Sequence, residues 1–237
     1  MDDMMRLSIS LAVGVAALTP LLEAQVGTRV KDLAAGKFLI ARRDLPAPNF
    51  TRTVILLVRY GEDGAMGLVI NRRTKLPLSR VLEELKVAKD RSDQVYLGGP
   101  VEITAVLALL RSPAKPEDAR HVFADVYLIS SKAPLEKALA VGAESSALRA
   151  YLGYSGWAAG QLEQEIELGA WFIWRGDAAT VFDPDPETVW SRMIKKTEAS
   201  IARYFRSPGQ LITTWIGPAE PSSSGAFIQE AAAVARD

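Results

Sequence analysis

Thr53 to Tyr60 (TVILLVRY) is almost unbroken in apolar and β-branched residues, and after Gly61-Glu62-Asp63-Gly64 the run resumes as Ala65 to Asn71 (AMGLVIN). Two such runs around a Gly/Asp turn predict a β-hairpin, and the hydrophobic core starts there. Most of the remaining chain has to join that sheet or cover it.

Upstream, Gly36 to Ala41 (GKFLIA) reads as a strand after the polar entry Thr28 to Asp32, and Arg42 to Asn49, with Pro46 and Pro48, reads as a loop. Downstream, Leu78, Val81, Leu82 and Leu85 recur at helical spacing from a cap at Ser79, which predicts a short helix over 78–86. Strands are expected at Gln94 to Leu97, ending in the sharp turn Gly98-Gly99-Pro100, at Val101 to Leu110, and as one piece at His121 to Ser130. Pro134 to Val141 reads as a helix, and Ala147 to Tyr154 leads into a helix whose inner face holds Leu162 and Ile166 and which Gly169 ends. Trp171 to Trp174 and Val181-Phe182 read as short strands, and Pro186 to Lys196 as a helix with proline first and basic residues last. Runs of strands broken by a few short helices predict an α+β domain around a mixed, largely antiparallel sheet.

The composition narrows the function classes. Of the 237 residues 49% are apolar and 24% charged, which fits a globular core and excludes disorder along the whole chain. Basic and acidic residues balance to zero net charge without a dense Lys/Arg stripe, so nucleic acid is not an expected partner. The absence of cysteine rules out disulfides, thiolate catalysis and zinc-ribbon sites.

Leu7 to Leu22 is apolar apart from Ser8, Ser10, Gly14, Thr19 and Pro20, and Leu22 and Ala24 occupy the minus-three and minus-one positions of a cleavage site. Residues 1–24 therefore read as a secretory signal peptide. Asp2 and Asp3 make a poor leading region, whereas a start at Met4 or Met5 would leave Arg6 as the leading charge. The run is short for a membrane span of about 20 residues, and no stable span is expected after cleavage. The expected organisation is a domain over 25–196 followed by an extension over 197–237, with a Pro/Ser/Gly linker at 218–225. Periplasmic or other export is the expected location, with the cytoplasm as the alternative.

The stretch Gly153 to Ile166 (GYSGWAAGQLEQEI) concentrates the candidate chemistry. Ser155 lies between two glycines, but a nucleophile elbow needs glycine two positions away on each side, and Trp157 takes the second place. His121 is the sole histidine and reads as a surface or strand-edge residue, so a serine hydrolase lacks a clear general base. Glu163, Glu165 and Glu167 read as a solvated acidic helix face rather than a metal or acid/base cluster, because Leu162 and Ile166 claim the inner face. No metal site and no cofactor are expected. Gly98-Gly99-Pro100 offers backbone N–H groups that suit an anion, although tight turns explain the glycines equally well. Asn71 is expected to hydrogen-bond the chain around its turn, with Arg72 and Arg73 facing solvent. Tyr154, Trp157, Trp171, Trp174 and Trp190 could line an aromatic pocket or fill the core, and strand alternation lets only one of Trp171 and Trp174 share a cavity with Trp157.

Taken together, Gly36-Lys37-Phe38-Leu39-Ile40-Ala41, Gly67-Leu68-Val69-Ile70-Asn71-Arg72, Gly98-Gly99-Pro100-Val101, the GYSGWAAGQLEQEI stretch, Trp171 and Trp190 resemble the AlgH/YqgE-like family of bacterial proteins over roughly residues 33–195. That resemblance implies a single compact α+β domain whose central sheet is bifurcated and partly barrel-like, flanked by short helices. It implies no established reaction. The N-terminal apolar segment and the residues after Thr197 depart from the family pattern. The expected function is a non-enzymatic binding or accessory protein of the cell envelope, with a cytosolic regulator and a hydrolase of unknown substrate as alternatives. Its partner would be a protein or small molecule held around Asn71, Gly98, Gly99, Pro100, Tyr154, Ser155, Gly156, Trp157 and Gln161, with no residue assigned a catalytic role.

Overall fold

A computed structural model describes residues 26–27 and 29–206. The apolar run 7–22, the cleavage position after Ala24, the apolar 211–216 segment, the 218–225 linker and the 231–235 alanine run lie outside the described residues.

The strands are β1 (Val26–Gly27), β2 (Lys37–Ala41), β3 (Val54–Gly61), β4 (Gly64–Val69), β5 (Arg73–Pro77), β6 (Gln94–Leu97), β7 (Val101–Arg111), β8 (Arg120–Phe123), β9 (Val126–Ile129), β10 (Leu148–Trp157) and β11 (Trp171–Arg175). The helices are α1 (Leu78–Val81), α2 (Lys132–Ala140), α3 (Gln161–Glu167), α4 (Ala178–Val181) and α5 (Pro186–Arg206). The expected hairpin is β3–β4, paired antiparallel from Ile55 with Val69 to Gly61 with Gly64. Val54 to Val58 are all buried. A strand covered on both faces needs no polar alternation, which accounts for the unbroken apolar run.

The main path of the sheet runs β1-β11-β2-β3-β4-β10-β7-β9-β8, with β5 and β6 branching beside β10. β10 makes the fork. Its first half pairs antiparallel with β7 and, at Tyr151 and Leu152, parallel with β6, while Ser155 to Trp157 pair antiparallel with β4. The β6–β10 ladder is the one parallel pairing among the described residues, so the sheet is mixed and largely antiparallel, as expected. At the far end Phe123 of β8 packs on Gly36 at the entry to β2, and Gly176 N–H donates to Gly36 O at 3.0 Å. The sheet therefore curls into a half-barrel.

Side-chain alternation in β7, β9 and β10 feeds two cores. Leu107, Leu109, Val126, Leu128 and Tyr151 face the larger one, which is filled by β2, β3, β4, α3 and α5. Ala108, Leu110, Tyr127, Ile129, Leu148 and Ala150 face the smaller one, which α1 and α2 cover. Period-two alternation delivers each strand to both. In α5, Val189, Trp190, Met193, Ile194 and Thr197 form the inward stripe, and one unbroken helix joins the predicted Pro186 to Lys196 segment to Ile201 to Phe205, which the sequence allows as a helical extension.

Three local expectations are corrected. The segment 121–130 is a hairpin rather than one strand: β8 and β9 turn at Ala124, whose φ is 44°. Val181-Phe182 ends a helical turn capped by Asp177, whose carboxylate accepts from Thr180 N–H at 2.7 Å, so the predicted strand there is absent. The predicted helix over 78–86 shrinks to α1, because Leu78 and Ser79 N–H donate to Asp93 O and Arg91 O and the segment is tied to the chain leading into β6.

Candidate functional site

The fork explains most of the glycines singled out in the sequence. β10 changes partners at Gly153, where φ is 65° and a bulge shifts the register between Leu152 and Tyr154. Left-handed backbone of this kind suits glycine. Gly99 lies so close to β10 that a Cβ there would sit 2.2 Å from the carbonyl carbon of Tyr154. Gly98 stitches the two branches: its N–H donates to Leu152 O and its carbonyl accepts from Val69 N–H, both at 2.8 Å.

Ser155 is fully buried at this junction, and its hydroxyl donates to Gly98 O at 3.3 Å. His121 stands on β8, three strand spacings from β10, or roughly 14 Å. Its ring contacts Ala124 O at 2.9 Å and lies edge-on to Tyr127. The two residues do not form a nucleophile–base pair.

The acidic helix differs from its expected role. Glu165 is drawn into an aromatic box, where Oε2 accepts from Trp171 Nε1–H at 2.7 Å and from Trp157 Nε1–H at 3.0 Å, while Oε1 accepts from Gln161 at 3.3 Å. Phe50 stacks on Trp157 with ring centroids 6.4 Å apart and meets Trp171 edge-on at 5.8 Å. Burial raises the Glu165 carboxyl above the ordinary range, against the three donors, which pull it down. Glu163 accepts from the Tyr60 hydroxyl at 2.7 Å. Burial first, and then that acceptor, pushes Tyr60 up to about 12. Only Glu167 of the three carboxylates stays on the exposed face. The missed signal was the indole pair: two buried Trp N–H groups need an acceptor, and Glu165 is the nearby acidic residue on their side of α3.

Asn71 is buried and fully engaged: Oδ1 accepts from Val54 N–H at 2.8 Å and Nδ2 donates to Arg52 O at 3.0 Å. Arg73 forms a two-point pair with Glu187, both bonds at 3.0 Å. Arg72 is half-buried instead of solvated, and burial lowers its pKa. Arg149, inward-facing on β10 in phase with Tyr151, also went unnoticed; it donates to Val181 O and Asp183 O and lies 4.8 Å from the Tyr96 ring centroid.

Of the nine residues predicted to bind a ligand, Asn71, Gly98, Ser155 and Trp157 are buried, and Gln161 is tied to Ala158 N–H and Glu165. Gly99, Pro100, Tyr154 and Gly156 reach the surface of the fork. Tyr154 Oη–H donates to Glu102 at 3.1 Å, and burial, followed by that acceptor, raises its pKa. Leu97 and Ile103, 45% and 63% exposed, flank the turn in the chain. Among the described residues no group of three or more His, Asp or Glu is placed to hold a metal ion, and no helix is long and apolar enough to cross a membrane.

A model of AlgH-like proteins matches residues 38–202. The chain belongs to the AlgH-like family. It is 34% identical over 188 residues to a UPF0301 protein of Streptomyces coelicolor, covering 76% of this chain and 95% of that one. A UPF0301 protein of Chlorobium phaeobacteroides is 32% identical over 164 residues, covering 69% of this chain and 86% of the relative. The solution structure of the AlgH protein from Pseudomonas aeruginosa superposes with a TM-score of 0.59 at 33% identity, covering 75% of this chain and 95% of that one. A crystal structure of a Corynebacterium diphtheriae protein shares the fold at TM-score 0.60 and 24% identity, covering 69% and 87%. The AlgH-like assignment supports the half-barrel α+β architecture and names no catalytic activity.

Proposed function

We propose that this AlgH-like protein is a non-enzymatic binding or accessory protein of the cell envelope, using the surface of the fork around Gly99, Pro100, Tyr154 and Gly156. The observation that carries this reading is the pairing of a rigid turn with uncovered apolar side chains. Gly98 fixes the turn by hydrogen bonds to two strands, and Leu97 and Ile103 present aliphatic surface beside it. The partner is a protein or small molecule with an apolar group for that surface. The burial of Ser155 and its distance from His121 support binding over hydrolysis.

Ile103→Asp tests the face, because an exposed side chain can be changed with little effect on folding. The expected outcome is loss of function in a complementation assay with an unchanged melting temperature. Full complementation would remove the fork as the working surface. The envelope location rests on the apolar run at 7–22. Sequencing the N-terminus of the native protein is expected to begin at Gln25, and an intact N-terminus in the cytosolic fraction would overturn the location.

A further inference from the structure

A second surface, around the turn between β2 and β3, has the chemistry of an anion site; it meets the fork at Arg72, whose carbonyl accepts from Leu97 N–H at 2.9 Å. Arg43 and Arg52 lie over Trp190, Arg72 reaches the turn before Arg52, and Arg42 and Arg73 are their neighbours in the chain. Three have carboxylate partners. Arg42 faces Asp44 at 3.9 Å, Arg43 grips Glu198 at 2.7 and 2.9 Å, and Arg73 grips Glu187. Arg52 and Arg72 have none among the described residues.

Both unpaired arginines are held by the fold. Phe50 to Thr53 form a turn closed by Thr53 N–H donating to Phe50 O at 3.2 Å. Thr51 has φ −56° and ψ 128°, and Arg52 has φ 55°. This is a type II turn with arginine at the position that favours glycine or asparagine. The buried amide of Asn71 clamps it from behind through Arg52 O and Val54 N–H. The Arg52 guanidinium lies over the Trp190 ring, 5.8 Å from its centroid, with Arg43 at 5.7 Å, and the indole is anchored by donation to Ala41 O at 2.8 Å. Arg72, next to Asn71, reaches the same turn through a 3.4 Å bond to Thr51 O. A left-handed non-glycine residue costs conformational energy and persists where the surroundings enforce it, often at a binding site. A half-buried guanidinium without a counterion is costly too.

We propose that Arg52, over the Trp190 ring, and Arg72, bonded to the adjacent Thr51 carbonyl, bind a phosphate group. Two unpaired guanidinium groups match the charge of a phosphate dianion, and their planar donor forks suit its oxygens. Asn71 is a positioning residue that sets the turn. This inference goes beyond the reading of the fork and rests on the Arg52 and Arg72 side chains rather than on Leu97 and Ile103, and phosphate binding is read separately from complementation, so either can fail alone.

The test is thermal unfolding and calorimetric titration of the full chain with inorganic phosphate, against chloride at equal ionic strength. Wild type is expected to show a saturable phosphate-dependent rise in melting temperature. Arg52→Gly relieves the left-handed strain, so without phosphate it should melt at or above the wild-type temperature, yet bind phosphate roughly tenfold or more weakly. Arg72→Gln should weaken binding similarly, whereas Arg59→Gln, an exposed arginine on β3, should not. Tighter binding of phenyl phosphate than of inorganic phosphate would assign the site to a phosphomonoester, and equal binding to free phosphate. No rise beyond that in chloride, or an undiminished rise in Arg52→Gly, overturns the proposal.

Discussion

Glu165 shows how a single buried carboxylate organises its surroundings. It is the acceptor for two indole N–H groups that would otherwise be buried without partners. Glu165→Ala should therefore cost about 3 kcal/mol in denaturant unfolding, mostly from the orphaned donors. The pH dependence comes from the raised carboxyl pKa: the native state holds its proton to higher pH than the unfolded chain, whose value is near the ordinary 4.5. Stability from this group is thus full below that value and is lost as pH rises through the native pKa. Relative to wild type, Glu165→Gln should flatten that fall, and an identical pH profile for the two proteins would contradict the assignment. At this scale the sequence was legible for Ser155, whose missing second glycine argued against a nucleophile. It was misleading for Glu165, because helical periodicity assigns a face but does not reveal which aromatic residues from elsewhere reach around to it.

Among the elements, β10 does the most to shape the fold. It serves β7 and β6 with its first half and β4 with its second, and the switch depends on Gly153 and on the close approach of Gly99. Gly99→Ala forces a Cβ into the Tyr154 carbonyl and should cost about 3 kcal/mol, measured as a lowered unfolding midpoint. The β3–β4 hairpin was legible because its signal is local: two apolar runs and a turn. The β8–β9 hairpin was hidden because its turn uses Ala124 and Asp125 instead of glycine or asparagine. α4 was hidden because two apolar residues carry no period, and the cap at Asp177 decides the turn. The fork itself was legible only through family resemblance, since nothing within β10 states that its two halves have different partners.

For the whole molecule, the half-barrel sheet carries both the fork and the arginine cluster, which are joined where Arg72 O accepts from Leu97 N–H. The fork supplies a rigid surface with exposed aliphatic residues. The cluster supplies two guanidinium groups, those of Arg52 and Arg72, that have no carboxylate partner among the described residues, beside three that do. Neither surface uses Ser155 or His121, so the protein should work without those two groups. Burial of Ser155 was beyond sequence reasoning because it depends on the meeting of β4, β6 and β10, which are far apart in the chain. The deciding measurement is complementation of a deletion strain by the Ser155→Ala/His121→Ala double variant, with its melting temperature recorded alongside. Full complementation is expected, with a stability loss of no more than about 1.5 kcal/mol from the lost hydrogen bonds. Loss of function in a double variant that remains folded would show instead that one of these side chains carries the activity.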